Sequence, residues 1–233
     1  MKNFAIIAAA GNGERFCDSK SKMLVPLLGK PLLSYTLDKF EESEKIDEII
    51  LVIRVQDRKL IEKEIIERNN YVKVKTITTG GSTRQESVYN GLMAIKEEDG
   101  TVCIHDGARP LLKKRMIDKT IKMVPLFDGI VLAVPIVETV KKVNISEMLV
   151  EKTVNRDMFW IAQTPQTFRL GKIKKYYQKA MKENIQVTDD SALLEYYGGK
   201  VAIVHGSEEN IKITTKVDLL LAEVIMSNHL FNK

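Results

Sequence analysis

Three short clusters in this sequence combine glycines with cationic, hydroxyl or carboxyl side chains, a combination that suits phosphate chemistry. The first is Ala8-Ala9-Ala10-Gly11-Asn12-Gly13-Glu14-Arg15-Phe16, directly after an apolar run. Glycines there let backbone N–H groups approach phosphate oxygens without a Cβ in the way. The cluster lacks the Gly-Lys-Ser/Thr ending of a P-loop, and Phe16 stands where a dinucleotide fingerprint needs a small residue. Glycine spacing alone leaves two interpretations open, a phosphate loop or a plain strand-to-helix turn.

Two cations near this loop favour the phosphate interpretation. Arg15 lies inside it, and Lys22 follows seven residues later. A triphosphate needs its charge neutralised while the bonds at its α-phosphorus rearrange, and arginine and lysine supply that charge. The alternative is that both are ordinary surface cations.

The second cluster, Thr79-Gly80-Gly81-Ser82-Thr83-Arg84-Gln85-Glu86-Ser87, follows a strand-like run and opens a helical pattern. Its paired glycines allow close backbone approach, and Ser82, Thr83 and Ser87 offer hydroxyls that could read a base edge or a ribose. The alternative is a capped helix start, since Ser and Thr favour caps.

The third cluster is His105-Asp106-Gly107-Ala108-Arg109-Pro110, again at the end of a strand-like run. Asp106 is well placed to hold Mg²⁺, and Arg109 could meet a second phosphate with two donors. Alternatively, Asp106 and Arg109 pair only with each other. The three histidines lack metal-ligand spacing, which argues against a zinc site.

The elements that must position these clusters alternate between apolar strand-like runs and segments of helical period. The expected strands are Phe4–Ala9, Glu48–Ile53, Val72–Thr78, Thr101–His105, Ile130–Val134 and Val201–Val204. The expected helices are Pro31–Ser43, Asp57–Arg68, Thr83–Lys96, Lys113–Met123, Leu170–Met181, one capped by Thr188 that runs through Tyr197, and Val217–Asn228 behind a Thr215/Asp218 capping box. This alternation predicts an α/β fold with a mostly parallel sheet covered on both faces, whose ligands bind beyond the carboxyl ends of strands.

The pattern changes between Val137 and Asn155, where valines mix with polar residues and no helical period holds. We interpret this stretch as an extended β-arm inserted into a single domain that spans residues 1–233. No internal repeat or long linker interrupts the chain.

Composition excludes several classes of protein. The chain has 233 residues, of which 44% are hydrophobic, and its longest apolar runs are too short to cross a bilayer. No signal peptide pattern opens it, so we expect a cytoplasmic protein without a membrane partner. Cys17 and Cys103 lack CxxC spacing. The net charge of +5 raises the alternative of a nucleic-acid-binding module, but lysines alternate with glutamates and no RNA- or DNA-binding motif is present, so we expect no nucleic-acid partner.

Taken together, the clusters make the whole chain resemble the 2-C-methyl-D-erythritol 4-phosphate cytidylyltransferases of the isoprenoid-precursor pathway. Eight motifs occur in the same order and spacing. They are Ala-Ala-Gly-x-Gly-x-Arg at 9–15, Gly-Gly-x-x-Arg-x-x-Ser at 80–87, His-Asp-x-Ala-Arg-Pro at 105–110, Glu-Thr-Val-Lys at 138–141, Asn-Arg at 155–156, Thr-Pro-Gln at 164–166, Thr-Asp-Asp at 188–190 and Asn-Ile-Lys at 210–212. The resemblance implies a Rossmann-like nucleotidyltransferase fold.

The resemblance also implies a role for each matching residue. The catalytic cations would be Arg15, Lys22 and Lys212. The nucleotide contacts would be Ala9, Ala10, Gly11, Gly13, Gly81, Ser82, Ser87, Asp106 and Gly107. The acceptor contacts would be Asp106, Arg109, Thr139, Arg156, Thr164, Thr188 and Lys212. Asp106 would hold Mg²⁺, and the 137–155 arm would form a homodimer in which Arg156 serves the neighbouring subunit's site.

Two positions depart from the family pattern. The family usually has Pro-Lys-Gln at the catalytic lysine, whereas this chain has Ser21-Lys22-Met23. Lys20 is therefore a competitor for the role, although spacing from Arg15 favours Lys22. The family often has an acidic residue where Ser82 stands, so contacts to the base are expected to shift.

The implied reaction joins CTP to 2-C-methyl-D-erythritol 4-phosphate and releases pyrophosphate. A phosphate oxygen attacks, and it is largely ionised near pH 7 because its second pKa is about 6. No protein nucleophile or general base is required, so catalysis reduces to in-line positioning and charge neutralisation. A ribitol-5-phosphate cytidylyltransferase is the nearest alternative, because only the acceptor pocket separates the two activities.

Replacing the two loop cations tests their assignment. We expect Lys22→Ala and Arg15→Ala to lose most turnover while CTP affinity changes less, because the cations act mainly on charge that develops in the transition state. Steady-state kinetics and equilibrium CTP binding measure both effects, with Lys20→Ala as the matched control. Near-normal turnover in both variants would remove the transition-state role.

Overall fold

Buried apolar side chains follow the strands of a central seven-stranded sheet. The computed structural model describes residues 1–11 and 21–231. All of residues 49–53 are buried, as expected for a strand covered on both faces. The strands are β1 (Asn3–Ala9), β2 (Pro26–Leu27), β3 (Lys30–Pro31), β4 (Glu48–Ile53), β5 (Val74–Thr79), β6 (Thr101–Asp106), β7 (Gly129–Pro135), β8 (Lys141–Asn144), β9 (Leu149–Thr153), β10 (Trp160–Arg169) and β11 (Val201–His205).

The sheet has the order β11-β7-β10-β6-β1-β4-β5, and β10 alone runs antiparallel to its two neighbours within this described sheet. Two core layers cover its faces. Along β1 the side chains alternate, so that Ala5 and Ile7 belong to one layer and Phe4 and Ile6 to the other. The predicted α/β fold with a mostly parallel sheet is confirmed.

Helices pack on both layers with buried residues at helical spacing. The helices are α1 (Leu32–Glu41), α2 (Arg58–Ile61, continued by a π-helical segment at Glu62–Glu67), α3 (Arg84–Ala94), α4 (Lys114–Met123), α5 (Leu170–Glu183), α6 (Asp190–Tyr196) and α7 (Lys216–Phe231). One face of the sheet carries α1, α2 and α4, and the opposite face carries α3, α5 and α6. None of the described helices is long and apolar enough to span a membrane.

The cap of α6 differs from the prediction. Asp189, not Thr188, is the N-cap residue, and its carboxylate accepts a hydrogen bond of 2.9 Å from the backbone N–H of Ala192. Thr188 is exposed one residue earlier. Both side chains favour caps, so sequence alone did not separate them.

The capping box at α7 is confirmed. The Asp218 carboxylate accepts from the Thr215 N–H at 2.7 Å, and the Thr215 hydroxyl accepts from the Asp218 N–H at 3.3 Å.

Strand β10 is the main element that the sequence analysis did not predict. Its centre, Gln163–Thr167, is polar, so it shows no apolar run. All five residues except Pro165 carry polar side chains, yet all five are buried, and Gln166 and Thr167 pair with both β6 and β7. The pairing with β7 shifts register between Ala162 and Gln166. Within this break the Thr164 hydroxyl accepts from the Asp106 N–H at the end of β6, and Gln163 Nε2 donates to the Ser207 carbonyl shortly after β11.

The predicted β-arm is an antiparallel hairpin. Strands β8 and β9 pair with each other and with no strand of the main sheet in the described chain. Every residue of β9 is exposed, and so are Ile145 and Met148 at the turn.

Candidate active site

A cleft of about 230 Å³ lies beyond the carboxyl ends of β1 and β6. Residues from all three clusters meet there. Those that line it are Ala8, Ala9, Ala10, Gly11, Lys22, Met23, Gly81, Ser82, Thr83, Arg84, Ser87, Asp106, Ala108 and Lys212. Most of the nucleotide contacts expected from the sequence therefore share one cavity.

The second glycine cluster is both a capped helix start and a wall of the cleft. Thr83 caps α3 by accepting from the Glu86 N–H at 3.0 Å. The Ser87 hydroxyl donates to the Thr83 carbonyl at 2.9 Å and accepts from the Gly81 N–H at 3.1 Å. A Cβ on Gly80 would lie 2.2 Å from Ala10 Cβ, so only glycine lets the two loops touch. The two interpretations of this cluster are thus compatible.

Glu86 supplies a carboxylate beside the position where the family often has an acidic residue. Its Oε2 accepts from the Ser82 N–H at 2.6 Å and from the Ser82 hydroxyl at 2.7 Å. Those bonds lower the pKa of Glu86 and keep it ionised. Ser82 is therefore held against the first turn of α3.

Asp106 is the centre of charge in the cleft. Arg84 Nε lies 2.9 Å from its Oδ1, and Lys212 Nζ lies 2.9 Å from its Oδ2. Arg109 Nε is more distant, 3.6 Å from Oδ2. Burial alone would raise the pKa of Asp106, but the charges of Arg84, Lys212 and Arg109 outweigh it and hold that pKa well below its usual range. An exclusive pair between Asp106 and Arg109 is therefore ruled out.

Lys212 is positioned by a loop with fixed ends. The side-chain amide of the fully buried Asn210 donates to the Thr164 carbonyl at 3.0 Å. The Asn210 carbonyl accepts from Arg109 Nη1 at 2.7 Å, and the Ile213 N–H donates to the Ala108 carbonyl at 2.8 Å. These three bonds join the loop to β10 and to the third cluster, which places Lys212 over Asp106.

Lys22 contacts the same loop. It begins a short 3₁₀ turn, Lys22–Leu24, and its Nζ donates to the Ile213 carbonyl at 2.9 Å. Met23 is buried, and its sulfur would lie 3.2 Å from a Cβ on Gly107. Met23, which departs from the family pattern beside this lysine, therefore occupies a packed position. Lys22 itself lines the cleft.

Thr164 and His105 lie behind Asp106 in the buried interior. Both His105 nitrogens are used: Nε2 lies 3.2 Å from the Arg109 carbonyl and Nδ1 lies 2.9 Å from the Thr164 hydroxyl. Since a carbonyl only accepts, Nε2 carries the proton and Thr164 donates to Nδ1. The Thr164 oxygen in turn accepts from the Asp106 N–H at 3.1 Å. Burial lowers the pKa of His105 to about 3, so the ring stays neutral.

Several expected site residues do not line the cleft. Gly107 and Thr164 are buried behind it, and Arg109 contacts it only through Asp106. Thr139, Arg156 and Thr188 are exposed, and Arg156 donates from Nη1 to the Val137 carbonyl. Gly13 and Arg15 lie outside the described residues. Within one chain, the acceptor contacts expected from the resemblance are thus only partly assembled.

Arg84 lines the cleft and pairs with the buried Asp190, and the sequence predicted no role for either residue. Arg84 Nη1 and Nη2 donate to the two oxygens of Asp190 at 3.0 and 2.8 Å. Both residues lie inside motifs quoted above, Gly-Gly-x-x-Arg and Thr-Asp-Asp, so the sequence marks each of them as a candidate. It does not show that they pair, because 106 positions separate them in the chain.

Asp106 is the only carboxylate lining the cleft in the described chain, and the described residues contain no group of three or more His, Cys, Asp or Glu that could hold a metal ion. A Mg²⁺ ion is commonly held by one or two carboxylates together with substrate phosphates and water. Asp106 is ionised and fits that arrangement, whereas a metal site made of protein ligands alone does not fit.

A mostly parallel sheet with a glycine-lined cationic cleft beyond β1 defines an α/β nucleotide-binding protein of the nucleotidyltransferase class. The sequence model of 2-C-methyl-D-erythritol 4-phosphate cytidylyltransferase matches residues 3–228. The chain belongs to that family, as its motifs indicated.

Relatives and solved structures agree with this assignment. Two curated proteins of the same description, from Clostridium acetobutylicum and Clostridium botulinum, are 41% and 42% identical over 97% of this chain, which covers 98% and 97% of their lengths. The crystal structure of 4-diphosphocytidyl-2C-methyl-D-erythritol synthase from Anaerococcus prevotii has a TM-score of 0.86 and 34% identity, with 97% of this chain and 96% of that chain covered. A Francisella tularensis structure of the family has a TM-score of 0.81 and 35% identity, with 96% of this chain and 99% of that chain covered.

The buried neutral His105 predicts how stability depends on pH. Its pKa is lowered from 6.5 to about 3, so below pH 6.5 the unfolded chain takes up a proton that the folded chain does not. This contribution makes the protein less stable as pH falls from about 6.5 towards 3. Between pH 6 and 5 it amounts to about 1 kcal/mol, since one proton is worth about 1.4 kcal/mol per pH unit.

Urea unfolding at the two pH values measures this loss. The variant His105→Gln lacks the titrating ring and is expected to lose much less stability over the same interval. An equal loss in both proteins would show that His105 is not the group responsible.

Proposed function

We propose that this protein transfers the cytidylyl group of CTP to 2-C-methyl-D-erythritol 4-phosphate, giving 4-diphosphocytidyl-2-C-methyl-D-erythritol and pyrophosphate. One observation carries the proposal: in a chain that matches the family from residue 3 to residue 228, the glycine loops, Lys22, Asp106 and Lys212 line one cleft. The ribitol phosphate alternative is not favoured, because the family model and the relatives named above carry the methylerythritol description. A non-catalytic binding module is not favoured for the same reason.

The proposed reaction needs positioning and charge rather than a protein nucleophile. An ionised oxygen of the acceptor phosphate attacks the α-phosphorus of CTP. The bond from that phosphorus to the bridging oxygen breaks, and pyrophosphate leaves with the electron pair. Arg15, Lys22 and Lys212 are proposed to stabilise the negative charge that develops on the phosphate oxygens. His105 is neutral and buried, and no role as a general base is assigned to it.

The nucleotide is proposed to lie along the glycine loops. Ala9, Ala10 and Gly11 line the cleft, and their backbone N–H groups are proposed to donate to phosphate oxygens. Gly81 and Ser82 suit the edge of the cytosine, with Ser87 fixing the loop from within α3. Gly13 is proposed to extend the same cradle, and Gly107 supports it from behind.

Mg²⁺ is proposed as the metal cofactor, with Asp106 as its protein ligand. When bound, it would neutralise charge on the phosphate oxygens and help to align them. Lys212 shares Oδ2 of the same carboxylate and would hold its orientation.

The acceptor is proposed to bind at the open side of Asp106, beside Lys212 and Arg109. Thr164 lies behind Asp106, where its hydroxyl donates to His105 and accepts from the Asp106 N–H. Its proposed contribution to the acceptor site is therefore to hold the backbone of Asp106. Thr139, Arg156 and Thr188 are exposed on the outer surface and are proposed to complete the acceptor site in the assembled enzyme.

The hairpin is proposed to be the dimerisation arm of a single nucleotidyltransferase domain. Ile145 and Met148 are 78% and 75% exposed at its turn, and Met158 beyond it is 80% exposed. A patch of exposed apolar side chains marks an interaction surface, and the turn of the hairpin carries two such side chains. In a homodimer, Arg156 is proposed to serve the partner's site. The cytoplasmic location and the absence of a nucleic-acid partner stay predictions.

A turnover assay with two acceptors tests the activity. We expect Mg²⁺-dependent pyrophosphate release from CTP with 2-C-methyl-D-erythritol 4-phosphate, and at least about 100-fold lower kcat/KM with ribitol 5-phosphate, because a site built for one polyol leaves polar groups unpaired with another. Equal or greater turnover with ribitol 5-phosphate would contradict the proposed acceptor.

Mixed dimers test whether Arg156 acts across the interface. Arg156→Ala and Lys212→Ala are each expected to be nearly inactive as homodimers. Co-expression in equal amounts should restore about one quarter of wild-type turnover, because half of the dimers are mixed and each mixed dimer has one intact site. If Arg156 served its own subunit, no mixed dimer would contain an intact site and turnover would stay at the level of the separate variants.

A further inference from the structure

Arg84 lies between two carboxylates that belong to different parts of the fold. Its Nε is 2.9 Å from Asp106 Oδ1 at the cleft, while Nη1 and Nη2 contact both oxygens of Asp190 at 3.0 and 2.8 Å. Each of its three guanidinium nitrogens therefore donates to a carboxylate. A lysine has a single nitrogen and cannot reproduce this bridge.

Asp190 is held in place from the other side by Tyr177. The tyrosine lies in α5 and its hydroxyl donates to Asp190 Oδ1 at 2.5 Å. Both Asp190 and Tyr177 are fully buried, and neither lines the cleft. Asp190 is thus a buried charge whose compensation depends on one guanidinium and one hydroxyl.

This arrangement limits where Arg84 can go. If the guanidinium moved away, it would leave a buried carboxylate without its counter-charge, which is strongly unfavourable. The two-pronged contact with Asp190 also fixes the plane of the guanidinium, and so fixes the direction from which Nε reaches Asp106. The orientation of Asp106 is therefore set from the core, through a residue that already lies in the cleft.

We propose that Arg84 is a positioning residue, held by Asp190 and Tyr177, that fixes the Asp106 carboxylate in the orientation required for cytidylyl transfer to the acceptor. This inference rests on the proposed function and adds three residues to its site. Arg84 acts through Asp106, and Tyr177 acts on the reaction only through Asp190 and Arg84.

The variant Tyr177→Phe tests the inference with the smallest change in the core, because it removes one hydroxyl and keeps the ring. We expect kcat/KM for the acceptor to fall about tenfold, the size of effect that follows from losing one hydrogen bond to a charged group. The KM for CTP should change by less than about twofold, because the glycine loops are untouched.

Tyr71→Phe is the matched control. The Tyr71 hydroxyl is also buried and lies 2.7 Å from a carboxylate oxygen of Asp38, but that pair is outside the cleft. Both variants lose a hydrogen bond from the hydroxyl of a buried tyrosine to a carboxylate, so a merely structural effect would lower folding stability in each. Only Tyr177→Phe is expected to change turnover of the folded enzyme at a temperature well below unfolding.

A double-mutant cycle with Arg84→Lys separates positioning from independent damage. Arg84→Lys alone should lower kcat/KM for the acceptor by about 100-fold, as expected when a reacting group is misplaced by about 1 Å. In that background Tyr177→Phe should have no further effect on kcat/KM for the acceptor, because the route through Arg84 is already lost.

Three results would overturn the inference while wild-type turnover remained normal. They are unchanged kinetics in Tyr177→Phe, an equal fall in Tyr71→Phe, or full additivity of Tyr177→Phe with Arg84→Lys. Absence of cytidylyl transfer by the wild-type enzyme would instead contradict the proposed function itself.

Discussion

The attraction between Asp106 and the cations around it is the interaction on which the rest of the site depends. The carboxylate is nearly buried, and burial of a lone negative charge is unfavourable. Arg84 and Lys212 are both 2.9 Å from it, and Arg109 is close by. Each cation comes from a different segment of the chain. The Asp106 carboxylate therefore holds together three loops that the sheet by itself only brings close to one another.

The topology of the sheet explains how the Asp106 carboxylate is held at the cleft. Asp106 is the last residue of β6, a central strand, and its backbone is bonded to Thr164 of the antiparallel β10. Behind both lies His105, a neutral donor and acceptor that joins the two ends of the third cluster. On the solvent side, Lys212 belongs to a loop to which Lys22 is also attached, since Lys22 Nζ donates to the Ile213 carbonyl next to Lys212. The two lysines proposed for catalysis are therefore positioned together.

Much of this could be predicted from the sequence because the relevant signals are local. Strand β4 and helix α4 follow from apolar runs and helical spacing, and the three clusters follow from glycines and charges at strand ends. Strand β10 could not be predicted in this way, because its buried residues such as Gln163 and Thr167 are polar and gain partners only in the folded sheet. The bridge from Asp106 through Arg84 to Asp190 is likewise non-local, and a motif shows residue types without showing which of them meet. The acceptor residues on and near the arm are a different case, since a single chain leaves Thr139 and Arg156 exposed.

The central claim is that the negative charge of Asp106, and not merely its shape, organises the active site. The direct measurement is the turnover of Asp106→Asn with CTP and the methylerythritol acceptor, made on protein whose fold is verified by circular dichroism. Asparagine keeps the size of the side chain but leaves Arg84 and Lys212 without their common counter-charge. We predict that kcat falls by at least about 100-fold, because misplaced reacting groups lose that much or more. A kcat within about threefold of the wild-type value, a change of less than about 1 kcal/mol in the barrier, would contradict the account.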